Sequence, residues 1–125
     1  MEKQFVPYEL ALKLKELGFN EECLTKWGVT SLRLYEDYKP CSNTDDIVLS
    51  GDLISAPLWQ QAFDWFREKY GLCHFINHNG GNGGYCTGWE DLGHNEHGFY
   101  SYKTYEQARL ECLRKLIKNI ENEKL

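Results

Sequence analysis

The stretch SAPLWQQAFDWFREKYGL, Ser55 to Leu72, is the feature that most restricts the fold. Trp59, Ala62, Phe63, Phe66 and Tyr70 recur at i, i+3, i+4, i+7 and i+11, and Leu58 and Trp65 widen the stripe. Gln60, Asp64, Glu68 and Lys69 take the opposite side, so the period is that of an amphipathic helix. Ser55 reads as its cap, Pro57 as a residue of its first turn and Gly71 as its stop. A face this wide and aromatic must be covered by other elements, and it places the centre of a core.

Two further helices follow from the same period. Leu10, Ala11, Leu14 and Leu17 mark a helix over Pro7 to Leu17, closed by Gly18 with Phe19 folding back. Thr104 and Gln107 form a T-x-x-Q capping box before Tyr105, Ala108, Cys112, Leu113, Leu116, Ile117 and Ile120. Between the helices, Ser31 to Asp37 alternates in the manner of a half-buried strand, with Ile47 to Leu49 as its hairpin partner. Asn20 to Trp27 reads as a short turn. Leu72 to His78 and Gly98 to Lys103 read as a second strand pair. The order α-β-β-α-β-β-α is that of an α+β domain spanning residues 1–125, a small antiparallel sheet packed by about three helices. A long Gly-rich loop separates the last two strands.

At 125 residues, 42% hydrophobic and 14% aromatic, the chain suits a single folded domain rather than a disordered one. A net charge of −5 gives no basic surface for nucleic acid. No apolar run approaches the about 20 residues that span a bilayer, and the N-terminus lacks the pattern of a signal peptide. The expected compartment is therefore cytoplasmic. The five cysteines, spaced irregularly and odd in number, are expected as thiols rather than a disulfide framework.

EKQFVPYELALKLKELGF, ISAPLWQQAFDWFREKYGL and TYEQARLECLRKLI together resemble a group of small uncharacterised proteins of Bacteroides-type gut bacteria and their phages and mobile elements. The resemblance covers roughly half the chain and lies in caps and core faces. It implies a phage or mobile-element accessory protein acting in a bacterial cytoplasm, and it carries no catalytic or binding residue with it.

Function is most concentrated in INHNGGNGGYCTGWEDLGHNEHG, Ile76 to Gly98, which holds seven of eleven glycines and three of four histidines. His74 and His78 point to one face of an extended strand, and His94 and His97 lie beyond the loop, with Cys86 midway. These five are the candidate ligands of a metal, and zinc is the ion such a set would take. Neither C-x₂-C nor H-E-x-x-H is present, and histidines at strand ends are ordinarily surface residues. GYCTGW around Cys86 is weakly similar to the cysteine-protease stretch in which Cys precedes Trp, but that chemistry needs a His-paired thiolate and no helix clearly follows. GGNGG lacks the Lys-Ser/Thr and the helix of a phosphate loop. The adjacent acids Glu90-Asp91 and Asp45-Asp46 diverge.

Tyr85 and Trp89 among Gly, Asn and His have the composition of a recognition loop: rigid aromatic anchors between adaptable polar groups. The competing reading makes residues 85–89 an extra strand with both aromatics in the core. The sequence therefore points to a non-enzymatic interaction module that binds a host macromolecule, a protein, through Tyr85, Trp89, His78 and Asn82. The alternative is a zinc-binding or cysteine-dependent module built from the Cys and His residues of 73–97. No catalytic signature is present, no cofactor is expected beyond that zinc, and neither nucleic acid nor membrane is an expected partner. A homodimer through the sheet or the last helix is compatible with the surplus of aromatics.

Overall fold

The computed structural model describes residues 2–45, 48, 51–78 and 84–123, with Tyr100 described by its backbone only. Among these residues α1 spans Tyr8–Glu16, α2 Trp59–Tyr70 and α3 Tyr105–Glu123. The strands are β1 (Thr25–Gly28), β2 (Leu53–Ala56), β3 (Cys73–His78), β4 (Tyr85–Glu90) and β5 (Glu96–Tyr102). They form two antiparallel sheets, β1–β2 and β3–β4–β5. Antiparallel strands with segregated helices make the fold α+β, as the sequence pattern predicts. The chain divides into two compact units, Met1–Ala62 and Phe63–Leu125, the division falling inside α2.

In the first unit α1 packs against β2 and buries Leu10, Ala11 and Leu14. Gly18 takes φ +101°, and the Phe19 amide reaches back to the Leu14 carbonyl at 2.9 Å. A glycine accepts that left-handed turn without a Cβ penalty, which is why the helix ends there. Register pairs Thr25 with Ala56 and Gly28 with Leu53, and all eight positions of this sheet are buried. Most of the polar groups it buries are satisfied from within, as burial requires. The Thr25 hydroxyl donates to the Tyr35 carbonyl at 2.7 Å, and Lys26 Nζ donates to both Asp37 carboxylate oxygens at 2.9 Å. Asn43 donates to the Phe19 carbonyl at 2.8 Å and accepts from the Ser55 amide at 3.0 Å.

Several local expectations for this unit are corrected. Residues 31–37 do not form a strand: Leu32 has φ +57°, outside the extended region, and 57% of its surface is exposed. Only Leu34 makes a bridge, to Trp27. The strand lies instead at Thr25–Gly28, inside the region read as a turn, and its partner is Leu53–Ala56. Ile47 and Leu49 lie outside the described residues, while Val48 is helical and fully buried with Cys41 and Leu53. Ser55 does not cap a helix, because it sits within β2. The start of α2 is closed by Gln61, whose side-chain oxygen accepts from the Leu58 amide at 3.0 Å.

In the second unit α3 packs on all three strands and buries Ala108, Cys112, Leu113, Leu116, Ile117 and Ile120. The cap is close to the expected box. The Gln107 amide donates to Thr104 Oγ1 at 3.0 Å, and Gln107 Oε1 accepts from the Lys103 amide at 3.1 Å. The connection read as one loop from 79 to 97 contains β4, so the competing extra-strand reading of residues 85–89 describes this stretch. Gly88 makes that strand possible, since a Cβ there would sit 1.9 Å from the His97 carbonyl oxygen. Residues 79–83 lie outside the described residues.

Candidate functional site

The register of the three-stranded sheet sorts the candidate residues into two rows. His74, Trp89 and His97 are directly opposed across the strands at one end. His78, Tyr85 and Tyr102 are opposed at the other, beside residues 79–83. Opposed residues share a face, and the four positions between the rows correspond to about 13 Å along a strand. The five candidate ligands are thereby separated. His74 and His78 share a face at opposite ends, and Cys86 pairs with Asn77, an odd step from Trp89 and on the other face. Among the described residues no group of three or more His, Cys, Asp or Glu side chains converges in the manner of a metal site.

The first row is centred on a buried Trp89, with His74 half-buried and His97 exposed at its outer edge. Trp89 is only 4% exposed, stacks on His97 with centroids 5.5 Å apart, and meets Phe99 at 5.6 Å. Lys115 Nζ from α3 sits 4.7 Å above the Phe99 ring. His74 stacks on Phe63 at 3.8 Å, and burial pushes its imidazole below the usual pKa, with Asp64 opposing and Arg67 adding to the effect. In the β4–β5 turn, Asp91 Oδ1 accepts from the amides of Gly93 and Asn95 at 2.9 and 3.0 Å, while Oδ2 meets His97 Nε2 at 3.2 Å. The Asn95 amide, then His97, hold the Asp91 carboxyl below its usual range. His94 Nδ1 meets Glu90 Oε1 at 2.9 Å. His94 and His97 are thus each engaged by one carboxylate, which orders a tight turn.

The second row is open. His78 is exposed, Tyr85 half-buried and Tyr105 43% exposed. His78 meets the Tyr85 ring edge-on at 5.0 Å, and Tyr85 meets Tyr105 edge-on at 6.2 Å. The Arg109 guanidinium lies 5.7 Å from the Tyr105 ring centre, one helical turn further along α3. These four side chains form a continuous aromatic and cationic strip on the sheet end that borders the Gly-rich segment. T-shaped ring pairs and a cation over a ring hold each member in a defined orientation before any partner arrives.

Of the contact residues expected from sequence, His78 and Tyr85 stand together in this strip. Trp89 belongs to the first row, and Asn82 lies outside the described residues. Tyr105 and Arg109 were not among the expected residues. Their signal was the i, i+4 spacing that puts both on one helix face, with Tyr105 at the helix start where the apolar stripe has not yet closed over. No helix among the described residues is long and apolar enough to cross a membrane. No family model matches the chain, and no significant similarity to a characterised protein or a solved structure is found.

Proposed function

We propose that this protein is a non-enzymatic interaction module that binds a protein partner through the His78–Tyr85–Tyr105–Arg109 strip and the adjoining Gly-rich segment. One observation carries the reading: a pre-oriented run in which exposed His78 and Tyr105 flank half-buried Tyr85 and Arg109, held by three different elements. Tyr and Arg are the residue types that concentrate binding energy at interfaces, because they offer large area with few rotatable bonds and several donors. The strip offers no nucleophile paired to a base, so it favours recognition over turnover. The setting we propose is a phage or mobile-element accessory protein acting on a host protein in the bacterial cytoplasm. That setting rests on the resemblance of the three helical passages.

The test compares wild type with Tyr85→Ala and Tyr105→Ala in affinity capture from bacterial lysate, read by quantitative mass spectrometry. Melting curves establish that each variant is folded. A partner enriched by wild type and depleted at least tenfold with Tyr105→Ala supports the strip. Equal capture by folded wild type and both variants would move the binding surface elsewhere.

A further inference from the structure

In the first unit Cys23 and Cys41 oppose one another across an isolated antiparallel bridge. Each peptide N–H donates to the other residue's carbonyl, at 2.8 and 3.0 Å. Residues paired in this way have Cα atoms about 5.5 Å apart with side chains on the same side of the ladder. Disulfides span Cα separations of about 4.4–6.8 Å, so the Cα spacing of such a pair suits the bond, and closure needs the Cβ atoms of this hydrogen-bonded pair to draw together by about 1 Å. Both residues are buried free thiols. Two features of their surroundings bear on chemistry rather than on packing. The fully buried Ser55 hydroxyl meets no oxygen or nitrogen partner and lies against Cys23. Cys41 is one of the residues lining a pocket of about 400 Å³, together with Glu22, Pro40 and Asp45, so open space reaches the residue that bears this thiol.

We propose that Cys23 and Cys41 are a dithiol pair that closes to an intramolecular disulfide by exchange with a low-molecular-weight disulfide of the oxidised-glutathione class. Cys41, on the pocket wall, attacks one sulfur of the external disulfide as its thiolate and expels the first external thiolate. Cys23 then attacks Cys41 Sγ and expels the second. The external S–S bond is lost and the Cys23–Cys41 bond is made. The two thiol protons pass to the two expelled thiolates, so the protein sulfurs are oxidised by two electrons and the reagent is reduced by two.

Burial sets the pace. It pushes the Cys23 thiol up to about 12, and raises Cys41 as well, helped by Asp45. Thiolate is therefore scarce, closure is slow at neutral pH, and its rate climbs with pH. The closed bond ties off residues 24–40 at their base. That excursion carries the exposed Leu32, Tyr35 and Tyr38, so oxidation restrains an exposed apolar surface.

The experiment incubates intact reduced protein with oxidised glutathione under native conditions, quenches with acid and an alkylating reagent, and maps the product by mass spectrometry. The expected product has lost two hydrogens, links Cys23 and Cys41 in one crosslinked peptide and is reversed by dithiothreitol. It melts on the order of 10 °C above the reduced protein. Cys73→Ser, which removes the exposed thiol, gives the same product. Persistent glutathione on Cys41 without closure, modification confined to Cys73, or a crosslink joining other cysteines overturns the proposal. These outcomes are read on wild type and Cys73→Ser, so they do not depend on a core variant folding.

Discussion

The two sheets of this molecule solve opposite problems. β1 and β2 are buried at every position, and most of their polar groups are matched within the protein: Thr25 with Tyr35, Lys26 with Asp37, the Ser55 amide with Asn43, the Ser55 hydroxyl being the exception. The β3–β4–β5 sheet buries the middle of β4 but leaves β3 largely open, and it places aromatic and imidazole groups at its two ends. Full burial leaves no group free to meet a partner, because an unmatched buried donor costs more than a bond returns. Partial burial leaves room for recognition. The difference extends to the ends of the open sheet. The Trp89–His97 end is closed by Asp91 and Glu90, while the Tyr85–Tyr105 end presents aromatic rings with the Arg109 guanidinium beside them.

Breaking the open sheet at its tightest point gives the largest expected effect. Gly88→Ala places a methyl against the His97 carbonyl, which is backbone and cannot rotate away, so β4 and β5 must separate. The expected loss is about 3 kcal/mol or more in urea unfolding. A loss below roughly 1 kcal/mol would show that the strands accommodate the methyl.

The closed sheet is broken through its polar network. Asn43→Ala leaves the Phe19 carbonyl and the Ser55 amide buried without their partner. The expected cost is about 2–3 kcal/mol, measured in the same way. If Asn43→Ala is nearly neutral, water replaces the amide and the sheet is less closed than its burial indicates.

His74 sharpens the comparison by pH. Its folded pKa is depressed, chiefly by burial, so between the folded and unfolded values the unfolded chain binds more protons. Stability is then full above the ordinary histidine range and is lost as pH falls through it. Melting temperature is expected to drop between pH 7.5 and pH 5.5, and His74→Phe, which keeps a ring against Phe63, is expected to flatten that slope. An unchanged slope in a folded His74→Phe protein assigns the acid sensitivity to another group.

The smallest effect on stability is expected at the proposed binding strip. Tyr105→Ala removes an exposed ring and should shift unfolding by no more than about 0.5 kcal/mol while abolishing partner capture. A loss comparable to that of Asn43→Ala would make Tyr105 a packing residue and remove the contrast between the sheet's two ends.

Much of this was legible because periodicity records burial directly. The faces of α2 and α3, the Gly18 and Gly71 stops and the Thr104–Gln107 cap follow from residue spacing, since each depends on contacts within one helical turn. The strands were harder to read. TKWG is four residues long and mixes a charge with an aromatic, and its buried lysine becomes acceptable only once Asp37 arrives from eleven residues away. SLRLYED alternates convincingly, yet the left-handed Leu32 interrupts it. YCTGWE hid among glycines as part of a loop, although two readings of it were open. Half of the candidate site, His78 and Tyr85, could be named from composition. Tyr105 and Arg109 could not be joined to them, because a helix twenty residues downstream brings them into place.

By itself the sequence determined the α+β class, the three helices, the Gly18 and Gly71 stops and the Thr104–Gln107 cap. These depend on local spacing, which survives without tertiary information. Only the tertiary structure decided which strands pair and which aromatics are buried. It sent Trp89 inward and left Tyr85 beside Tyr105, and it set Cys23 opposite Cys41 across seventeen intervening residues. Those outcomes depend on register, and a register is chosen by the burial of whole faces rather than by any short run of residues.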